Sequence, residues 1–493
     1  MQTMKIQFNK KLGLEKGIFV VPVFQEELNK TNAQYSHVVK DFLSFAIKSE
    51  NFKADFGETF FTHVNEENFP GKLLIIGAGC AEKFTANKAR IFGAKIAKVA
   101  KQTKCEALSF LLLPKLEEFI EELAEGLLFL QYDVGVQKVK SKKPSTAIQK
   151  IEFVTAGNSK DLESKASKAQ SIAEAVTFVK DLVNNPSNVV TIDYLAKAAE
   201  KVAKDNKYKI TVLGLKELTK AHWGGMLAVN QGSGNEPKCV IMEYNGATNP
   251  KEKPIVLIGK GVVFDAGGYN IKLTGSIETM HQDMAGAAAV YGVMSLLKKF
   301  GIKKNVVAIT PIVENLINEN AFRPSDIITM LSGHTVEITN TDGEGRLILA
   351  DAITHGQSFD PKYMLSIATL TGAVSIALGD RYAGILGNTP ELQDMLSEAG
   401  KQVDELVWPL PIHPDFKKKL NSTVADLKNR DPATFRLAGT AKGAAFLSNF
   451  YGKKEWCHID IGGTAFTSDP QEFQTMGATA HGLRLLLRFI ENL

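Results

Sequence analysis

The sequence predicts an α/β protein of two domains. A smaller N-terminal α/β domain precedes a larger C-terminal α/β domain with a mostly parallel central sheet. Three observations lead there. At 493 residues the chain exceeds what one compact core usually organises. Short apolar runs alternate with charged, helically periodic segments up to about residue 160. From about residue 189, near-continuous apolar runs of strand length recur, as in strands covered on both faces.

In the first part, "GIFVVPVF" (17–24), "KLLIIGAG" (72–79), "ALSFLLLP" (107–114) and "KIEFVTAG" (150–157) read as strands. Residues 83–103 and 115–130 read as helices between them. This sets an N-terminal domain at 1–160. "GAGCAE" is only half of a GxGxxG and reads as a plain strand-to-helix turn. Residues 161–183 read as an amphipathic helix with Ile172, Val176, Val179 and Val183 on one face. "NNPSN" stops it, because the residue before Pro186 disfavours helix. Residues 161–188 are thus a linker helix and turn, and 189–493 the second domain. There "PIVLIG" (254–259), "NVVAITPIV" (305–313) and "YMLSIATL" (363–370) read as strands. Helical stretches are expected at 283–300, 346–356 and 439–450.

Hydrophobic residues make up 44% of the chain and charged residues 23%, as in ordinary soluble proteins. The net charge of +4 and the lack of a basic run argue against a nucleic-acid partner. The N-terminus lacks the apolar core of a signal peptide, and no apolar run reaches the roughly 18–20 residues of a membrane span. Cys80, Cys105, Cys239 and Cys457 form no CxxC pair. Neither a disulfide framework nor a thiolate zinc site is expected, and a reducing cytoplasm is.

Ligands in open α/β sheets bind beyond the carboxyl ends of strands. After 254–259 come Lys260, Asp265 and Lys272, and Asp283 opens the next helical stretch. After "TVEIT" (335–339) comes "NTDGEGRLILADA" with Asp342, Glu344 and Arg346. Four carboxylates and three cations are thereby expected at one rim. Packed acids raise one another's pKa, and divalent metal ions relieve that cost. Two ions about 3.5–4 Å apart can share a water, lower its pKa and polarise a carbonyl. Gly267, Gly268, Gly343 and Gly345 are expected to take positive φ and bring backbone close to the metals. Each lysine could serve as a neutral amine ligand or as a cation facing an oxyanion.

Taken singly, each residue has a plainer reading. The DxE beside Arg346 is the composition of a solvated turn, Lys260 of a strand end, and Asp283 of a helix N-cap. Their joint occurrence at successive strand ends is what points to chemistry. His281 lies near Asp283 and reads as a bystander. No HExxH and no GxSxG occurs.

These residues resemble the leucyl aminopeptidase family of two-metal cytosolic exopeptidases. The resemblance is carried by "VLIGKGVVFDAGG", "IK" at 271–272, "DMAGAAAV", "NAFRPSDI", "NTDGEGRLILADA" and "ATLTGA", with echoes in "DLVNNPSN" and "HIDIGGTAF". It implies that the second domain is catalytic and takes two divalent ions, Zn or Mn, with Mg or Co as further possibilities. By resemblance, Lys260 and Asp283 match ligands of the tighter metal and Asp342 a ligand of the more exchangeable one. Asp265 and Glu344 match bridging ligands. Lys272 matches the lysine that polarises the scissile carbonyl, and Arg346 the arginine that holds bicarbonate as general base. Met280, Thr369, Leu370, Thr371 and Gly372 match walls of the pocket for the first side chain. The family further implies peptide substrates, with Leu or Met preferred, and a homohexamer. The chain departs from the usual pattern at Gly343 and Gly462, where alanine is usual, at Ala266, and in "YNIK". Gly343 is expected to loosen its loop and Gly462 to widen the pocket. A regulatory DNA-binding role, a two-metal phosphoesterase and an inactive structural hexamer are the rival readings.

Overall fold

The computed structural model describes residues 4–13, 16–28, 35–66, 69, 71–134, 148–433 and 437–493. It divides into two compact units, Met1–Glu174 with Pro470–Thr475, and Ala175–Asp469 with Met476–Leu493. The division falls inside one long helix, Ser159–Asn184. Ile172, Val176, Val179 and Val183 are all buried along it.

The first unit is a six-stranded sheet. Its strands are β1 (Lys5–Asn9), β2 (Gly17–Phe24), β3 (Thr59–His63), β4 (Gly71–Gly79), β5 (Ala107–Leu111) and β6 (Lys150–Val154). They lie in the order β1-β6-β5-β2-β4-β3, parallel except for the edge strand β3. The expected strand at 107–114 stops at Leu111, because Pro114 starts a short helix.

The second unit carries the larger sheet. Its strands include β7 (Lys209–Leu213), β8 (Lys238–Asn245), β9 (Ile255–Gly259), β10 (Gly261–Asp265) and β11 (Asn305–Asn315). A small sheet holds β12 (Ile327–Thr329) and β13 (Thr335–Glu337). The large sheet continues with β14 (Tyr363–Ala368), β15 (Ala383–Gly387) and β16 (Val407–Pro409). After β17 (Leu427–Lys428), which joins the small sheet, it ends with β18 (Glu455–Asp460). The order is β16-β15-β18-β14-β9-β11-β8-β7, with β10 alongside β11. The central strands β18, β14, β9 and β11 run parallel, and antiparallel pairs occur toward the edges. Every residue of β9 and β11 is buried, as in strands covered on both faces, with Asn305, Thr310, Glu314 and Asn315 interrupting the apolar run of β11. Among the described residues no helix is long and apolar enough to cross a membrane.

One of the strands outside those the sequence predicts lies directly after Lys260. The chain passes through that residue into β10, which pairs with β11 and delivers Asp265 at its end. The helix Ala285–Leu297 packs behind this switch. It is apolar on nearly every face and almost wholly buried. Gly286 permits its close approach. A Cβ there would lie 2.2 Å from the Ile367 carbonyl oxygen and 2.9 Å from the Lys260 nitrogen. Gly286→Val is therefore expected to destabilise the second unit by about 2–3 kcal/mol. Urea unfolding measures this, and an unchanged midpoint would contradict the packing.

Candidate active site

Lys260 sits at the switch between β9 and β10. Its N–H donates to the Ile367 carbonyl (3.1 Å), and its own carbonyl accepts from the Ala287 N–H (2.9 Å). The buried side chain then reaches Asp283 (Nζ to Oδ2, 2.7 Å), Glu344 (Nζ to Oε1, 2.9 Å) and the Thr369 carbonyl (3.1 Å). Gly345 makes room for it, since a Cβ there would lie 2.6 Å from Lys260 Cε and 2.7 Å from Nζ.

Asp265 ends β10. Its Oδ1 accepts from the Gly267 N–H (2.9 Å) and from Asn315 Nδ2 (2.8 Å), the latter at the end of β11. Past it the chain turns through Gly267 and Gly268, with φ of +87° and +61°. This turn brings Lys272 back, so that its Nζ lies 2.8 Å from Asp265 Oδ2 and 2.6 Å from Asp342 Oδ1. Thr341 and Asn270 stitch the turn to the neighbouring segment. Thr341 Oγ1 donates to the Gly267 carbonyl (2.6 Å) and accepts from the Asn270 N–H (2.8 Å), while the Thr341 N–H donates to Asn270 Oδ1 (2.8 Å).

Glu344 is the first residue of the helix Glu344–Gly356, and Arg346 lies in its first turn. Oxygens of Asp265, Asp342 and Glu344 all lie within 4.8 Å of one another, a group able to hold a metal ion. Asp283 joins them through the shared Lys260 ammonium. Arg346 Nη1 donates to the Asn429 carbonyl (2.8 Å), and its buried Nε has no hydrogen-bond partner among the described residues.

The electrostatics follow from burial and from this mixture of charges. Burial raises Asp265 to about 6 and Asp283 to about 8, with the neighbouring acids adding to both. Asp342 is raised as well, chiefly by burial. Burial would also raise Glu344, but Lys260 and Lys272 together draw it down to about 2. Burial alone would lower the two lysines, yet the acids around them hold both above the ordinary lysine range. Burial, aided by Arg430, lowers Arg346 to about 10.

The cluster opens into a cavity of about 1080 Å³. Lys260, Asp265, Lys272, Met280, Asp283, Asp342, Glu344, Arg346, Thr369, Leu370, Thr371, Gly372 and Gly462 all line it. His281 does not; its Nδ1 pairs with the Val183 carbonyl (2.8 Å). Asp283 is no helix N-cap. The helix behind it starts at Ala285, and the carboxylate turns to Lys260 and to Thr369 Oγ1 (2.7 Å). The expectation of positive φ at four glycines holds only for Gly267 and Gly268. Gly343 has φ −123°, and Gly345 lies inside the helix, where its missing Cβ admits Lys260. Sequence reasoning missed Asn270, Asn315, Thr341 and Asn429, neutral residues that hold the charged ones in place.

The donor set suits a hard divalent cation: three carboxylates that converge, a fourth beside them, and amines able to ligate once deprotonated. Comparison with known proteins agrees. The catalytic domain of the cytosol aminopeptidase family matches residues 177–487, and that family's N-terminal domain matches 20–143. A probable cytosol aminopeptidase of Protochlamydia amoebophila is 36% identical over 100% of this chain and 98% of its own. One from Syntrophotalea carbinolica is 38% identical over 91% of each. Among solved structures, the bottromycin maturation enzyme BotP, also solved in complex with Mn, superposes with a TM-score of 0.82. It is 25% identical and covers 97% of this chain and 99% of its own.

Metal binding should release protons. Carboxyl groups that hold protons up to about 6 and 8 compete with a cation below those values, so affinity should fall as pH drops from 8 to 6. Calorimetric titration with Mn²⁺ in two buffers of different ionisation enthalpy reads this directly. Equal heats with a pH-independent affinity would contradict it.

Proposed function

The chain belongs to the cytosol aminopeptidase family, metal-dependent hydrolases acting on peptides, and on that premise we propose a leucyl aminopeptidase that works with two ions. It releases N-terminal apolar residues, Leu and Met foremost. The convergence of Asp265, Asp342 and Glu344 beside Lys260 and Lys272 is the observation that carries this reading. In it, Lys260 and Asp283 would serve one divalent ion, Asp342 the other, and Asp265 and Glu344 would be shared by both. When bound, the ions supply Lewis acidity and a water that ionises near neutral pH.

The chain's own residues do the rest. Lys272 lines the cavity with its ammonium, which faces the scissile carbonyl and stabilises the oxygen as it gains negative charge. Arg346, buried with its Nε unpaired among the described residues, is the group that would hold bicarbonate as general base. Met280, Leu370 and the small residue Gly372 give the pocket an apolar wall with room for a branched side chain; Gly462 does not widen it, because the space of its missing methyl is filled by the Thr371 carbonyl. Thr369 and Thr371 fix that wall through their hydroxyls.

Zn²⁺ or Mn²⁺ are the proposed ions, with Mg²⁺ or Co²⁺ as substitutes; the Mn complex of BotP supports manganese. A homohexamer in a reducing cytoplasm completes the reading, and the free thiols of Cys80, Cys105, Cys239 and Cys457 fit that compartment.

Glu344→Ala and Asp265→Ala should each abolish hydrolysis of leucine amide with the circular dichroism spectrum unchanged. Substantial activity in either variant, with both ions still bound, would sink the two-ion assignment. Lys272→Ala should lower kcat by roughly a hundred- to a thousandfold with metal content retained, as loss of an oxyanion donor does. Steady-state kinetics with metal analysis checks it, and an unchanged kcat removes Lys272 from the chemistry.

A further inference from the structure

Asp460, the last residue of β18, is fully buried and is absent from the acid cluster. Its carboxylate collects donors from the pocket wall. Oδ1 accepts the N–H groups of Leu370 (3.1 Å), Thr371 (3.3 Å) and Gly462 (3.1 Å). Oδ2 accepts from Thr371 Oγ1 (2.7 Å), which also lies 2.9 Å from Thr440 Oγ1 on the neighbouring helix Gly439–Leu447. A buried carboxylate is costly unless such donors surround it.

The segment so held is short, and its other end is fastened to the cluster. The Thr369 carbonyl accepts from Lys260, and Thr369 Oγ1 donates to Asp283. Leu370 and Thr371 of this segment, and Gly372 directly after them, line the cavity. Gly462 lets the wall seat closely, because a Cβ there would lie 2.6 Å from the Thr371 carbonyl oxygen and 3.2 Å from Asp460 Oδ1.

We infer that Asp460 is a positioning residue that sets the shape of the first-residue pocket by fixing segment 369–372, and that Gly462 permits the seating. This inference rests on the aminopeptidase reading above. Asp460 acts through the wall it holds and does not touch the substrate. Its removal should therefore change which first residue is preferred, beyond any loss of active protein.

The test compares kcat/KM for leucine amide and alanine amide in the metal-loaded full chain. Asp460→Ala should lower the leucine-to-alanine ratio by roughly tenfold or more, the scale on which a misplaced positioning group acts. Asp460→Asn should restore most of the ratio. Its Oδ1 can still accept the three N–H groups, and its Nδ2 can donate to Thr371 Oγ1 while that hydroxyl turns to Thr440. Gly462→Ala, which pushes on the Thr371 carbonyl, should also shift the ratio with metal content unchanged. It carries the test if Asp460→Ala does not fold. An active wild type whose ratio is the same in the folded variants would overturn the role of Asp460 alone. A wild type that cleaves neither amide would overturn the aminopeptidase reading and this inference with it.

Discussion

Four of the acids that line one cavity, Asp265, Asp283, Asp342 and Glu344, crowd together, and the neighbouring elements bring up the positive charge that makes this tolerable. In a medium of reduced dielectric, like charges a few ångströms apart repel by several kcal/mol. Lys260 and Lys272 each face two of the acids, and neither could be supplied by an ordinary surface helix. Lys260 reaches the centre only because the chain switches from β9 to β10 at that residue, with Gly286 behind it and Gly345 beneath its ammonium. Lys272 returns only because Gly267 and Gly268 turn the chain back sharply.

The side chains that hold the acid cluster itself, Asn270, Asn315, Thr341 and Asn429, are neutral, and an added charge in contact with the cluster would have to be desolvated inside an already crowded field. Amide and hydroxyl groups offer donors and acceptors without that cost. Asn315 holds Asp265 with one side-chain N–H and also donates to the Thr341 carbonyl. Thr341 and Asn270 bind each other twice over and thereby lock the Lys272 turn to the Asp342 segment. These bonds together fix the turn, although the buried Oδ1 of Asn315 has no hydrogen-bond partner among the described residues.

How much of this was legible in the sequence depended on how local each signal is. The strands β2, β4, β9, β11 and β14 are largely apolar runs, and burial on both faces makes such runs visible. The edge strands β7 and β16 keep residues exposed and give no such run, and β8, β15 and β18 also lie outside the predicted strands although they are largely buried. β10 was hidden because its glycine and aspartate ends resemble a loop. The charged cluster could be read because Asp342, Glu344 and Arg346 fall within five residues and the others follow strand-like runs. Asn270, Asn315, Thr341 and Asp460 could not. Each is an unremarkable polar residue until the fold brings its partner from a distant part of the chain.

Gly343 shows how a local reading can name the right residue for the wrong reason. Its departure from alanine suggested a looser loop, yet its φ of −123° is open to any residue. What the missing methyl provides is space. A Cβ would lie 2.9 Å from Nδ2 of Asn429, which is fully buried. That amide is not free to step aside. Its Oδ1 accepts the N–H groups of Thr339 (2.9 Å) and Asn340 (3.3 Å), and its Nδ2 donates to the Asn340 carbonyl (2.6 Å). The backbone of the same residue receives Arg346 Nη1 (2.8 Å). Asn429 is thus a wedge between the segment carrying Asp342 and the guanidinium of Arg346, and displacing it would move both. Gly343 and Asn429 act as a pair: the glycine tightens the acid segment onto the arginine through the amide that it admits.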